Sequence, residues 1–433
     1  MSPRPSTHPI IPLRHPLTGP ARAALRAYSL IFRAAIPLLR HSPRLADGYS
    51  RRRLRPPPPA ADIWVQAASA GEAHLAVQLL AELRPPSPIR VLVTAQTRQG
   101  LDILGRAIDG PLRSRQSVRA AAAPFPFDAP TLMSAAVDAV SPRVAVLLET
   151  ELWPGYLRAL SRRRIPTLLV NGRLSIRGFR RYRLWPSVWK ALRPDRVLAI
   201  SPADADRFAR LFGPAGISVM PNMKFDRLPA TDGRPPRPPG FPDGRPVVVL
   251  GSVRQAEEPL VGQVIERLRR ARPDATIALF PRHIHRLDAW AARLDRMGIS
   301  WTRRSRLTAG SGAAVILWDR FGELPAGYGA ATAAFVGGSL ASLGGQNILE
   351  PLAAGVVPVT GPSWENFAWV GRGIVAAGLL RIRPDAEAVA AALLDSLNRP
   401  DDRATVQRRA REYVDARRGG TDLACRAILD FGF

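Results

Sequence analysis

The sequence predicts an α/β protein made of two doubly wound, Rossmann-like domains in tandem. Three observations carry that prediction. Short apolar runs alternate with helical segments along most of the chain, the pattern of a parallel sheet covered on both faces. Nearly every run ends in a cluster of Gly, Ser, Asn or acidic residues, at the edge where open α/β sheets place their chemistry. A Pro/Gly-rich stretch, LPATDGRPPRPPGFPDGRP at 228–246, has neither helical nor strand period, and the pattern restarts after it. At 433 residues and 46% apolar content the chain is long enough for two ordinary domains with large cores.

Residues 1–60 stand outside that pattern. The first 16 are proline-rich and predicted disordered. Residues 20–40 read as a helix whose Arg22, Arg26, Arg33 and Arg40 fall within a sector of about 40°. The other faces carry Leu25, Leu30, Ile31, Phe32, Ile36, Leu38 and Leu39. No 18-residue apolar run exists, so the helix is not a span, and its arginines disfavour a cleavable signal peptide. One reading is an amphipathic helix in a membrane interface, the other a helix packed on the protein's own core. Arg51, Arg52, Arg53 and Arg55 follow, each worth ~1 kcal/mol near an anionic surface. Pro56–Pro59 is a stiff spacer.

The first domain spans 61–227. Ile63–Ala67 is a predicted strand, ended by Ser69-Ala70-Gly71-Glu72, with a helix from about Glu72 to Leu83. Val91–Thr94 and the helix Thr97–Ala107 come next, then a loop at Pro124–Pro130. Val144–Leu148 ends in Glu149-Thr150-Glu151, Thr167–Val170 in Asn171-Gly172-Arg173-Leu174-Ser175. Val197–Ile200 precedes a helix over Ala203–Phe212, and Val219 leads into Asn222-Met223-Lys224-Phe225-Asp226.

The second domain, 247–433, repeats the scheme. Val247–Leu250 is followed by Gly251-Ser252 and Glu257-Glu258, Thr276–Phe280 by Pro281-Arg282-His283, and Ala314–Leu317 by Asp319. Ala331–Val336 opens a glycine-rich stretch: Gly337-Gly338-Ser339, then Gly344-Gly345, then Gln346-Asn347-Ile348-Leu349-Glu350, and a return to apolar residues at Val356–Val359. Glycines there let backbone approach a ligand closely, and their N–H groups can face an anion; tight β-turn-α packing is the plainer use. A Glu350 carboxylate on the following helix suits sugar hydroxyls. Helices fill the rest, and the last, near Leu423–Phe433, can cross back to the first domain. Two such domains joined by a linker and facing a central cleft make the GT-B architecture of nucleotide-sugar glycosyltransferases.

Composition narrows the partners. Net charge is +27, from 62 Lys+Arg against 35 Asp+Glu, and only Lys190 and Lys224 are lysines. The arginine bias reflects genome composition, but the excess of positive charge points to an anionic partner. One cysteine, Cys425, excludes an internal disulfide and a cysteine metal site. No metal-ligand spacing occurs among the six histidines, so neither metal nor cofactor is expected. The absence of GxxxxGK[ST], of GxGxxG after the first strand and of GxSxG argues against P-loop, dinucleotide and α/β-hydrolase chemistry.

Two positions suggest roles by chemistry alone. Glu72, at a strand end beside Ser69 and Gly71, suits a general base that deprotonates a sugar hydroxyl; a helix-dipole carboxylate is the alternative. Arg282 suits bidentate phosphate binding; a solvated arginine is the alternative.

Ten motifs in order resemble the bacterial 3-deoxy-D-manno-octulosonic acid (Kdo) transferases. They are ASAGE at 68–72, PFD at 126–128, ETELWP at 149–154, NGRLS at 171–175, NMKFD at 222–226, GS with EE at 251–258, PRH at 281–283, GGS at 337–339, GGQNILEP at 344–351, and GP with NF at 361–367. The resemblance runs from about residue 20 to the C-terminus. It implies an inverting, metal-independent transfer of Kdo from CMP-Kdo to lipid IVA, the bis-phosphorylated lipid A precursor, at the cytoplasmic face of the inner membrane. It carries the catalytic base onto Glu72. It places Ser252, Arg282, His283, Gly337, Gly338, Ser339, Gly345, Asn347 and Glu350 on the nucleotide side. Ser69, Gly71, Glu149, Glu151, Asn171, Arg173, Ser175 and Lys224 fall around the acceptor and donor sugar. The family more often has His at the position of Gln346, and a longer His-containing run where this chain has Gln66-Ala67-Ala68; roles tied to those histidines do not transfer. A GT-B transferase of UDP-sugars is a rival reading. A nucleic-acid-binding protein is another, disfavoured because no recognition motif or aromatic interleaving accompanies the arginines.

Overall fold

The computed structural model describes residues 17–42, 48–227, 238, 241, 244–308 and 312–433. The predicted disordered start and most of the predicted linker lie outside those residues. The chain divides into two compact units, Met1–Leu228 with Arg417–Phe433, and Pro229–Ala416.

The first unit holds a seven-stranded parallel sheet of β1 (Ile63–Ala67), β2 (Ile89–Ala95), β3 (Val118–Pro124), β4 (Val144–Leu148), β5 (Thr167–Gly172), β6 (Arg196–Ala199) and β7 (Ile217–Val219), in the order β3-β2-β1-β4-β5-β6-β7. β1 and β4 are buried at every residue, as expected for strands covered on both faces. Two apolar clusters cover the faces. One centres on Trp64, Tyr156, Leu147 and Phe208, the other on Val65, Leu75, Val93 and Val146. β3 was not legible as a strand: VRAAAAP has little β propensity, yet it pairs with β2 along its whole length. Helices over Pro130–Val140, Pro154–Arg163, Ile176–Tyr182 and Pro186–Ala191 complete the layers.

The helix Gly19–Leu39 packs on the first unit along one side and leaves apolar side chains exposed elsewhere. Ala21, Leu25 and Ile36 are buried in the unit, while Leu30, Ile31 and Leu38 remain 64%, 65% and 71% exposed. Tyr28 anchors it by donating to Asp128 Oδ2 at 2.8 Å. Asp128, in the PFD motif, also accepts the Gly155 and Tyr156 N–H groups, yet burial pushes its carboxyl up to about 7. Among the described residues no helix is long and apolar enough to cross a membrane.

The C-terminal helix Gly420–Leu429 belongs to the first unit, where Ala424, Cys425, Ala427 and Ile428 pack in the second of its clusters. Asp226 fastens it, accepting the N–H groups of Gly419 and Thr421 at 2.7 Å and the Thr421 hydroxyl at 2.6 Å.

The second unit holds β8 (Val247–Val253), β9 (Thr276–Pro281), β10 (Trp301–Arg303), β11 (Val315–Leu317), β12 (Ala333–Val336), β13 (Pro358–Thr360) and β14 (Arg381–Ile382), again all parallel, in the order β10-β11-β9-β8-β12-β13-β14. β10 and β14 are edge strands of three and two residues, too short to show a period. Phe335, Leu250, Leu279 and Trp290 anchor the core on one face.

Candidate active site

In the first sheet β1 and β4 are neighbours while β2 and β5 lie to either side, so the connections diverge there. The crevice at their carboxyl ends is where such sheets bind ligands. Glu72, Glu149 and Glu151 all sit at this point.

Ser69 caps the helix Ala70–Glu82, its hydroxyl oxygen accepting the Glu72 N–H. The Glu72 carboxylate turns back, accepting the Ser69 hydroxyl at 3.1 Å and the Ala68 N–H. This is close to a capping box, so the helix-terminal role foreseen for Glu72 is real. It does not exclude the catalytic one. Glu72 is only 8% exposed, and its pKa is pushed up to about 7. Burial is the main cause, the Glu151 charge next, with Glu149 adding to it against the Ala68 and Ser69 hydrogen bonds. A carboxyl that loses its proton near neutral pH is matched to general-base work.

The acidic neighbours are held in place. Glu149 adopts a left-handed backbone, φ 55°, and pairs with Lys224 Nζ at 2.6 Å. Glu151 accepts the Trp153 indole N–H at 2.7 Å, and burial raises its pKa. Asn171, fully buried and left-handed at φ 56°, accepts the Met223 N–H at 2.9 Å, while Asn222 accepts the Lys224 N–H at 3.0 Å. The two asparagines thus shape the turn that aims Lys224 at Glu149. The rest of the expected set divides. The Arg173 carbonyl accepts the Thr150 hydroxyl and ties two strand ends together. Ser175 is an exposed helix cap, accepting the Gly178 N–H at 3.1 Å. Gly71 lies in the first helical turn with room for a side chain.

In the second sheet the connections diverge between β8 and β12. Here one expectation needs correction. The N–H groups of the glycine loop do not point outward to an anion, because acceptors within the protein, a buried carboxylate among them, already take them. Glu257, with no exposed surface, accepts the N–H groups of Gly338, Ser339 at 3.1 Å, Leu340 at 3.2 Å and Arg254 at 2.9 Å. The Gly337 N–H donates to the Gly251 carbonyl at 2.8 Å and the Gly345 N–H to the Gly338 carbonyl at 2.7 Å. The Ser339 hydroxyl donates to Val336 and accepts from Gly361. Gly337, Gly338, Ser339 and Gly345 are therefore framework. A Cβ on Gly337 would meet the Ser252 carbonyl at 2.6 Å and Glu257 at 2.7 Å. The EE pair was visible as a motif, but its role depended on a partner loop about 80 residues away.

The groups free to meet a ligand lie beside that framework. Arg282 and His283 are exposed at the end of β9; burial raises the Glu350 pKa, opposed by the Asn347 hydrogen bond and then by the charge of Arg282. Asn347 donates to Glu350 at 2.9 Å. The His283 imidazole is held below its ordinary range, by desolvation first and then by Arg282, His285 and Arg254. Ser252, left-handed at φ 56°, sits on the neighbouring strand end. Among the described residues no group of three His, Cys, Asp or Glu side chains is disposed to hold a metal ion.

Residues 43–227 match the family model described as 3-deoxy-D-manno-octulosonic-acid transferase (kdotransferase). The chain is 36% identical over 390 residues to the 3-deoxy-D-manno-octulosonic acid transferase of Bordetella pertussis, covering 87% of this chain and 89% of that one. It is 28% identical over 407 residues to the Haemophilus influenzae protein of the same name, covering 90% and 91%. A glycosyltransferase from Rickettsia africae superposes with a TM-score of 0.53 at 12% identity, covering 85% of this chain and 96% of that one, a likeness of fold alone. With two doubly wound units of GT-B type and a relative matched at that identity over 89% of its length, the chain belongs to the 3-deoxy-D-manno-octulosonic acid transferase family of glycosyltransferases.

Proposed function

We propose that this glycosyltransferase moves Kdo from CMP-Kdo to lipid IVA, with inversion at the anomeric carbon and without a metal ion in the transfer. The observation that carries the reading is Glu72: a buried carboxylate, poised near pH 7, at the strand end where the first sheet's connections diverge. In its ionised form it takes the proton of an acceptor sugar hydroxyl as that oxygen bonds to the anomeric carbon of Kdo. The bond from that carbon to the CMP phosphate breaks with its electron pair, and CMP departs. Glu149, Glu151 and Lys224 border the base, and the ion pair of Lys224 with Glu149 sets the local charge. On the nucleotide side Arg282 offers a cationic donor and His283 a neutral imidazole N–H to the phosphate, and Asn347 with Glu350 offers hydrogen-bonding partners to the nucleotide's hydroxyls.

The net charge of +27 suits a donor with a phosphate and a carboxylate and an acceptor with two phosphates. The helix Gly19–Leu39, with exposed Leu30, Ile31 and Leu38 beside its arginines, is the surface that would rest on the cytoplasmic face of the inner membrane. Mass analysis of lipid IVA after incubation with enzyme and CMP-Kdo tests the reading and counts the sugars added. No mass gain with CMP-Kdo, but a gain with a UDP-sugar, would overturn the donor assignment.

A further inference from the structure

Within the first unit a groove of about 540 Å³ runs between the helix Gly19–Leu39 and the pair of helices over 176–191. Leu25, Tyr28 and Ile31 form one wall, and Tyr182, Leu184, Trp185 and Trp189 the other. Glu151 and Trp153 lie at its inner end. Glu151 is the residue whose charge raises the Glu72 pKa, so the groove begins at the candidate active site. Its outer lip is apolar and unpacked, with Ile31 65%, Leu184 74% and Trp185 53% exposed. Among the described residues, six of the ten exposed large apolar side chains lie on these two segments: Leu30, Ile31, Leu38, Ile176, Leu184 and Trp185. Arginines border the same segments: Arg181 lines the groove, and exposed Arg26, Arg180 and Arg183 adjoin lining residues.

We propose that this groove holds one acyl chain of the glycolipid acceptor, leading its sugar headgroup to Glu72. The inference rests on the acceptor being an acylated, phosphorylated sugar, as proposed above. A chain of methylenes matches a wall of aromatic and aliphatic side chains, each buried CH₂ contributing about 0.8 kcal/mol. The bordering guanidiniums match phosphates on the headgroup. A polar inner end at Glu151 marks where lipid gives way to sugar. The indole of Trp185 at the lip suits the boundary between apolar chain and water.

The test is quenching of tryptophan fluorescence in the full chain by a lipid IVA analogue brominated near the end of one acyl chain, with Trp153, Trp185 and Trp189 as reporters. Ala27→Phe fills the groove from an exposed helix position, and Leu184→Asp charges its lip. Saturable quenching that weakens about tenfold in either variant is expected. Quenching that both variants leave unchanged overturns the proposal. So does equal, variant-sensitive quenching by a brominated phosphatidylglycerol, which assigns the groove to bulk membrane lipid. Absence of quenching together with a dimer that Ala27→Phe dissociates assigns it to a second copy and also overturns it. Kdo transfer is measured in parallel on the wild-type protein. Failure of transfer with variant-sensitive quenching sinks the assigned reaction and leaves the groove; normal transfer with variant-insensitive quenching sinks the groove alone.

Discussion

Replacing Glu72 with Gln separates the two roles of its carboxylate, and the two effects have opposite signs. The folded-state pKa of about 7 lies above the ordinary 4.5, so the fold binds this proton more tightly than the unfolded chain does. Keeping Glu72 ionised therefore costs stability. The cost sets in as pH rises above about 4.5 and is complete above about 7. At 1.36 kcal/mol per pKa unit the full cost is about 3 kcal/mol. Gln is neutral throughout and keeps an oxygen to accept the Ala68 N–H. At pH 8 Glu72→Gln should stabilise the protein by about 2–3 kcal/mol, and at pH 5 by less than about 1 kcal/mol. Thermal melts at both pH values read this as a shift of about 2–4 °C per kcal/mol. Transfer should fall by a factor of about 10²–10⁴, the usual contribution of a general base. In the wild type, kcat/KM should rise with pH through about 7 and then level. Loss of stability at pH 8, or the same shift at both pH values, would refute the account of a desolvated base beside like charges. Near-native transfer would remove Glu72 from the chemistry.

The remaining predictions concern the framework. Glu257→Gln turns an amide N–H toward backbone donors that now meet a carboxylate, and should cost about 3 kcal/mol by chemical denaturation and raise the donor KM. Unchanged stability would mean that the loop holds its shape without Glu257. Asp226→Asn weakens the clasp on Gly419 and Thr421, and should cost about 2–3 kcal/mol and speed hydrogen exchange over 420–429. Exchange that stays slow there would show that apolar packing alone seats the helix. Leu30→Ser with Leu38→Ser alters only side chains 64% and 71% exposed, so the melting temperature should hold while binding to anionic vesicles drops at least about tenfold. Sedimentation with vesicles at wild-type levels would place the membrane contact elsewhere. Deleting the whole helix is a poorer test, because Ala21 and Leu25 are part of the core.

The sequence by itself determined the strand and helix alternation, because runs such as Val144–Leu148 and Val247–Leu250 are buried on both faces and so are apolar throughout. It also placed Glu72, Glu149, Asn171 and Arg282 at strand ends, since Gly, Ser and Asn mark where a strand stops. Weakly patterned pieces escaped it: the alanine-rich β3 and the very short β10 and β14 owe their conformation to neighbouring strands. Only the tertiary structure decided what the polar residues meet. A carboxylate's pKa depends on desolvation and on charges close in space, and Glu151 is distant from Glu72 in sequence but adjacent across β1 and β4. The same holds for Glu257, whose burial against the loop after β12 turned the expected anion-binding N–H groups into an internal clasp. Spacing along a chain fixes where a side chain starts; folding fixes what surrounds it, and the surroundings set its charge and its hydrogen bonds.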